Sequence, residues 1–392
     1  MRILFLSFYY PPDIGPGPLR AESIVNSLIE VGPPNLKIDV LTTQPNRYHS
    51  FRMKAKNFES YNKISIHRIK ITEHKNRMLD QVKSFISFSL EVRKFIYKKK
   101  WDVVVSTSGR LMTAALGTYI ASKSGAKSYI DIRDLFTEAM RDLLKTIFFG
   151  QSFIIPLLKL IERWTFRSAK MINVISPAFV SHIKKVAPNA AISTHTNGID
   201  EIFLKNNFLK EKTSRPLILY TGNIGEGQVL DFILPKIALK RKDLQFKIIG
   251  DGGAKKRLID KVLSQSINNI EILKPMLRSD LIDEYKKADI LLIHLNDFEA
   301  FQKVLPSKIF EYAATGKPIL AGVKGYTAKF LQEKIDGVQI FRPLDADDML
   351  ASLNKLLKLP KHFNRKEFCR LYLRKTITKK MANDILELVN NN

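Results

Sequence analysis

Short, unbroken apolar runs recur along the chain, each closing on a loop that opens a helically spaced segment, and this alternation restricts the fold more than any other feature. In the first half the runs are Met1–Tyr10, Lys37–Leu41, Trp101–Ser106, Lys127–Ile132 and Met171–Ser176, with Lys63–Ile71 of mixed polarity. In the second they are Pro216–Tyr220, Gln245–Ile249, Ile270–Leu273, Ala288–Leu295 and Pro318–Gly322. A strand that is apolar on both faces must be covered on both, which is the condition of a parallel sheet wrapped in helices. The rhythm lapses over the polar stretch Lys205–Arg215 and then restarts. The sequence therefore predicts an α/β protein of two doubly wound, Rossmann-like domains, residues 1–204 and 205–370, with ligands met beyond the carboxyl ends of the strands in a cleft between them.

Composition narrows the class of partner. The chain has 392 residues, 45% of them apolar, enough for two proper cores. Lys and Arg number 64 against 38 acidic residues, and a net charge of +26 favours an anionic partner. No basic and aromatic module has the spacing of a nucleic-acid reader. Basic residues gather between Arg47 and Arg77 and again at Lys94 and Lys98–Lys100, a surface suited to anionic lipid. The single Cys369 excludes an intramolecular disulfide framework and fits a reducing compartment. Aromatics and Pro11-Pro12-Asp13 follow the first apolar run in place of a small-residue cleavage site, so that run reads as a strand. The stretch Leu143–Phe166 has a charge-free run of only about a dozen residues, short of the ~20 needed to cross a bilayer. It reads as a buried helix pair or an interfacial element divided by Pro156, with Lys145, Lys159 and Arg163 near headgroups.

Several loops have the chemistry of ligand sites. Gly15 and Gly17 lie between the first strand and a helix, where backbone N–H groups can approach an anion with Arg20 as an added charge; a plain turn is the alternative. Gly222-Asn223-Ile224-Gly225 with Gln228, and Gly250-Asp251-Gly252, repeat the arrangement in the second half. Pro306 and Gly316 bracket a short helix whose one side carries Ile309, Phe310, Ala313 and Ala314 and whose other side carries Ser307, Lys308 and Glu311. Arg133 and Asp134 close the Lys127–Ile132 run. His195 reads as structural, and Asp345 as a helix N-cap followed by acidic first-turn residues.

Taken in order, Tyr9-Tyr10-Pro11-Pro12 with Gly15 and Gly17, Asn197-Gly198-Ile199-Asp200, the two glycine loops and Pro306–Tyr312 resemble family-four glycosyltransferases of the GT-B fold, in particular the bacterial branch that builds surface polysaccharides such as O-antigen and capsule. The resemblance spans nearly the whole chain. It implies retaining transfer of a hexosyl or N-acetylhexosaminyl group from a nucleotide sugar, UDP-linked by family weight, without a metal or other cofactor. Glu311 matches the ribose-binding glutamate. Lys308, with Gly15, Gly17, Gly222 and Asn223, would hold the departing diphosphate. Pro275 and Met276 fall where the base lies; Gln228 and Ser307 belong to the same donor set, and Asp251 either joins it or caps its own turn. Arg20 and Asp134 complete the candidate catalytic group, Asp134 toward the transferred sugar or acceptor. The implied acceptor is a polyprenyl-diphosphate-linked saccharide at the cytoplasmic face of the membrane, where the protein would be peripheral. The helical segment 371–392 would cross back onto the first domain.

Two departures from that pattern stand out. Lys303 occupies the position where another glutamate is usual, with Glu299 as an imperfectly spaced substitute, and Asp131, Arg133 and Asp134 stand where a histidine is common. A nucleotide-sugar 2-epimerase and a non-catalytic nucleotide- or lipid-binding subunit are the rival readings.

Overall fold

The apolar runs form two sheets. The computed structural model describes residues 1–48, 50, 53–71, 78–108, 110–145, 150–209 and 215–390. In it β1 (Arg2–Leu6), β2 (Lys37–Thr43), β3 (Phe58–Tyr61), β4 (Ile64–Ile69), β5 (Val103–Ser108), β6 (Lys127–Ile132), β7 (Met171–Val174) and β8 (Ala191–Thr194) lie in the order β3-β4-β2-β1-β5-β6-β7-β8. All are parallel except β3, which pairs antiparallel with β4. The second sheet is wholly parallel: β9 (Leu217–Asn223), β10 (Gln245–Asp251), β11 (Ile270–Leu273), β12 (Ile290–His294), β13 (Ile319–Gly322) and β14 (Val338–Phe341), ordered β11-β10-β9-β12-β13-β14. Every residue of β5 and of β12 is buried, which explains their unbroken apolar runs. β4 alternates buried and half-buried, the source of its mixed polarity. The sequence reading missed β3, four residues turned back at Asn62, because its Phe58 and Tyr61 are exposed and leave no burial pattern to read.

Helices cover both faces of the first sheet. α1 (Pro16–Val31) lies on one face beside the terminal helix Arg374–Asn390, so that Ile24, Val25 and Leu28 share a core with Met381, Ala382 and Ile385. On the other face α2 (Met78–Ile96) and α3 (Leu111–Ser124) bury Phe85, Phe88, Val92, Leu116 and Ile120 against Leu4 and Leu6. α4 (Phe136–Leu143) and α5 (Ile155–Arg167) follow β6, and α5 packs beside α3. A π-helical turn, Gly150–Ile154, runs directly into α5, and Pro156 stands at this junction, dividing the helical run as the sequence suggests while its missing N–H falls in the first turn of α5. Within the Leu143–Phe166 stretch, residues 146–149 lie outside the described residues, as do Arg52, Lys75 and Arg77 of the basic surface. No helix among the described residues is long and apolar enough to cross a membrane.

The chain divides into one unit of Met1–Thr196 with Lys375–Asn392 and another of Asn197–Arg374. The first dividing line thus falls before Asn197, whereas the sequence places it after residue 204. The reason is a pairing between segments far apart in the chain. The Ile199 amide donates to the Tyr372 carbonyl (2.8 Å), the Arg374 amide donates to the Ile199 carbonyl (2.8 Å), and Phe203 and Phe208 are buried with Tyr285 and Phe310. The Asn197–Asp200 turn therefore belongs with the second core. The linker Lys205–Arg215 is described only outside residues 210–214.

Candidate active site

Strand order reverses between β9 and β12 in the second unit, and the loops following these two strands flank the point where a doubly wound sheet receives ligands. The β9 loop is shaped by glycines at close approach. Gly222 (φ +149°) and Gly252 (φ +153°) adopt backbone angles that side chains disfavour, and a Cβ on Gly250 would lie 1.8 Å from the Gly222 carbonyl oxygen. The Asn223 amide donates to Gln228 Oε1 (2.8 Å), folding the loop on itself. Asp251 Oδ1 accepts from the Gly252 amide (2.8 Å), a bond that caps its own turn. Pro275 is buried after β11, and Met276 packs against the second unit's core. His294, at the end of β12, is buried with its ring Nδ1 2.7 Å from the Gln228 carbonyl oxygen and pins the glycine loop to the strand; burial pushes its pKa down to about 4 despite that bond.

After β12, the turn Glu299–Lys303 opens on an exposed Glu299 and closes on Lys303, and the helix Lys308–Ala314 follows. Ser307 precedes this helix without a side-chain capping bond, and Gly316 (φ +71°) ends it. Its polar side is no solvated face. Glu311 is only 5% exposed, and its carboxylate accepts from Lys308 Nζ (2.9 Å), the Tyr285 hydroxyl (3.2 Å) and Arg278 Nη2 (3.4 Å). Burial opposes the charge, but the Lys308 and Arg278 cations outweigh it and hold the pKa at about 2. Lys308 is reciprocally raised: burial works against its charge, and Glu311 prevails. Its Cε lies 3.6 Å from where a Gly222 Cβ would stand, so the ammonium lies between the buried carboxylate and the β9 glycine loop. The sequence reading missed Arg278 and Tyr285. They lie seven residues apart on the helix Arg278–Lys287, two turns and hence one face, which is the only signal that could have joined them. Arg278 also pairs with Asp200, and Arg374 Nε donates to the same carboxylate (2.5 Å).

The first unit reverses strand order between β1 and β5. Gly15 (φ +128°) is the N-cap of α1. Arg20, one turn on, departs from its sequence assignment as a ligand-facing cation. It is 1% exposed and donates to both Asp131 oxygens (2.8 and 2.9 Å) and to the Thr196 (2.7 Å) and His195 (2.8 Å) carbonyls. A guanidinium so fully engaged is a buried strut. The cation beside the glycine loop is Arg133, whose Nη1 lies 2.4 Å from where a Gly17 Cβ would stand. Its Nε is buried and unpartnered among the described residues. Asp134 is exposed next to it. Arg110 stacks over Phe8 and donates to the Tyr9 hydroxyl (2.7 Å), and Arg47 stacks over Tyr9 and Tyr48. Burial pushes Asp13 up to about 6, although its carboxylate accepts from the Asn46 (3.0 Å) and Arg47 (2.8 Å) amides. His195 bonds Asp384 of the terminal helix (2.7 Å), and Asp345 accepts from the Asp348 amide (2.9 Å) as an N-cap.

Two parallel doubly wound sheets with glycine loops at their reversals define a GT-B architecture. Residues 202–368 match the family described as Glycosyl transferases group 1, and the chain accordingly carries a group 1 glycosyltransferase domain, in agreement with the resemblance read from its motifs. It is 26% identical over 299 residues, 72% of each chain, to WcaI of Escherichia coli (strain K12), provisionally named a colanic acid biosynthesis glycosyl transferase. Among solved structures it is similar to WaaG, a glycosyltransferase involved in lipopolysaccharide biosynthesis (TM-score 0.68, 16% identity, 98% of this chain and 99% of that one). It is also similar to Anabaena Alr3699/HepE in complex with UDP and glucose (TM-score 0.67, 12% identity, 98% and 99%).

Proposed function

We propose that the protein is a retaining, metal-independent glycosyltransferase that moves a sugar from a UDP-linked donor to a polyprenyl-diphosphate-linked saccharide during assembly of a bacterial surface polysaccharide, at the cytoplasmic face of the membrane. The observation that carries this reading is Lys308, standing between the ionised, buried Glu311 and the Gly222 loop. A carboxylate held ionised can accept from both ribose hydroxyls, while the ammonium and the loop amides neutralise the diphosphate carried by the same ribose.

In this reading the acceptor hydroxyl attacks the anomeric carbon on the face the diphosphate leaves. The C–O bond to the diphosphate breaks, the new glycosidic bond forms, and the hydroxyl proton passes to the departing phosphate oxygen. Asp134 contacts the transferred sugar or the acceptor. The polysaccharide context and the nucleotide follow what WcaI, WaaG and HepE are named for. The test is mass-spectrometric, with the purified protein given a panel of nucleotide sugars and short polyprenyl-diphosphate saccharides. An acceptor heavier by one sugar, with free UDP accumulating, is the expected result. Isomerised nucleotide sugar without acceptor would establish an epimerase, and binding without turnover across the panel would mark an inert subunit.

A further inference from the structure

We propose that the acceptor saccharide carries an acidic sugar, and that Arg47, Arg110 and Arg133 of the first unit hold its carboxylate. The inference rests on the transferase reading above and names the chemical class of its acceptor.

The neighbouring strands β2, β1, β5 and β6 run parallel, so the loops at their carboxyl ends share one edge of the sheet. With about 4.8 Å between neighbours, that edge is about 14 Å wide, narrow enough for long side chains from its two ends to meet. Arg47 follows β2, Tyr9 follows β1, Arg110 follows β5 and Arg133 follows β6. Arg47 and Arg110 both stand over the Tyr9 ring, 5.2 and 5.4 Å from its centroid, and Arg110 donates to the Tyr9 hydroxyl (2.7 Å). Asp13 fixes the segment that carries Arg47 through the Asn46 and Arg47 amides. Burial pulls the Arg110 and Arg133 guanidiniums below their ordinary range, and the Arg47 charge adds to the fall in each, so the three cations act on one another.

Other inward cations of this unit are answered by carboxylates. Asp131 holds Arg20 (2.8 Å) and Glu59 holds Arg68 (2.6 Å), while Glu138 and Glu162 lie 2.9 and 3.3 Å from His182 and, against the cost of burial, push it up to about 9. Arg47, Arg110 and Arg133 are half-buried, yet none has a carboxylate within ion-pair distance among the described residues, and Arg133 Nε is buried without an acceptor. Like charges gathered out of water without counter-ions repel one another, and an anion placed among them removes that cost.

Planar guanidinium forks match either a carboxylate or a phosphate, and charge decides between the two. Asp13 and the exposed Asp134 act on the same arginines, so three cations face two carboxylates and one positive charge is left over. That balance suits a single carboxylate and falls short of a diphosphate. The donor's diphosphate already meets Lys308 and the Gly222 loop in the second unit. Asp134, lacking an ion pair among the described residues, is placed to accept from hydroxyls of the same acidic sugar.

The experiment measures turnover by the full chain on matched disaccharide acceptors ending in glucuronic or galacturonic acid, or in glucose or galactose. Each is made both as a polyprenyl diphosphate and as an octyl glycoside. An acid should be preferred to its neutral partner about 10- to 100-fold in kcat/KM on both carriers. Arg47→Gln and Arg110→Gln should each bring that ratio near one. Arg133→Met, which removes an unpaired cation and keeps an apolar stem, should do the same with a melting temperature at or above that of the wild type. Equal use of acid and neutral acceptors by the wild type, or variants that keep the preference, would overturn the proposal. So would a loss confined to the diphosphate carrier, which gives the cations to the diphosphate, or a preference that follows UDP-glucuronic acid over UDP-glucose, which gives them to the donor. An Arg133→Met protein that is less stable and keeps the preference would mark Arg133 as structural. Binding of methyl glucuronoside against methyl glucoside, followed by ligand-observed NMR, separates this inference from the transferase reading. Discrimination that is lost in Arg110→Gln, without turnover on any acceptor, refutes transfer and leaves the carboxylate site standing; no discrimination refutes the site whether or not transfer occurs.

Discussion

At Glu311 the site concentrates its electrostatics in one carboxylate. Glu311→Gln should weaken UDP binding about 10- to 100-fold, the worth of one or two charge-assisted hydrogen bonds. A cycle with 2′,3′-dideoxy-UDP is the check: the wild type should lose a similar factor on removal of the hydroxyls, and the variant little further. Arg20→Ala should instead destabilise the first unit by about 3–5 kcal/mol in denaturant titration, because Asp131 would be left charged and buried, while turnover per folded molecule stays near wild type. His182 gives a pH signature. Its folded pKa is raised to about 9 from 6.5, so its contribution is complete below pH 6.5 and disappears as the pH rises through about 9. Melting temperature should fall over that window, by no more than about 3 kcal/mol of stability, and His182→Gln should flatten the fall. The sequence showed that Arg20 stands one turn into the helix after a glycine loop, but not that its side chain faces inward. That choice is made by Asp131, 111 residues away, and long-range pairing leaves no local trace.

Among the elements, the glycine loops are the most sequence-legible parts of the site, because the close approach at Gly250 and the backbone angles of Gly222 and Gly252 call for glycine. A Cβ on Gly250 would overlap the backbone carbonyl of Gly222, which has no rotamer to yield, and Gly250→Ala should cost about 3 kcal/mol or more by calorimetry. Gly17→Ala meets only the far end of Arg133, which can move; it should cost under about 1 kcal/mol. The short helix Lys308–Ala314 could be bracketed from Pro306 and Gly316, since those residues act through their own backbones. Its burial could not, because Arg278 and Tyr285 reach Glu311 from another helix and hide a face that composition marks as solvated.

Across the whole molecule, the doubly wound plan was readable because strands buried on both faces must be apolar throughout. The dividing line between units was not, since it depends on the pairing of Ile199 with the segment around Leu373, 174 residues later. The terminal helix matters most at this scale. Met381, Ala382 and Ile385 are wholly buried against α1, and a chain ending at residue 374 should lose several kcal/mol of apolar burial and leave the first unit unable to fold, visible as lost solubility.

That helix also imposes an order on synthesis. The second unit is one continuous stretch and can fold as soon as it has left the ribosome, whereas the unit begun first stays incomplete until Lys375–Asn392 emerge. Its early strands, including the two edges of an eight-stranded sheet, must wait through the translation of nearly two hundred residues with one helical face uncovered. The chain's most exposed interval is therefore its own synthesis, when the apolar face of α1 still lacks the helix that covers it.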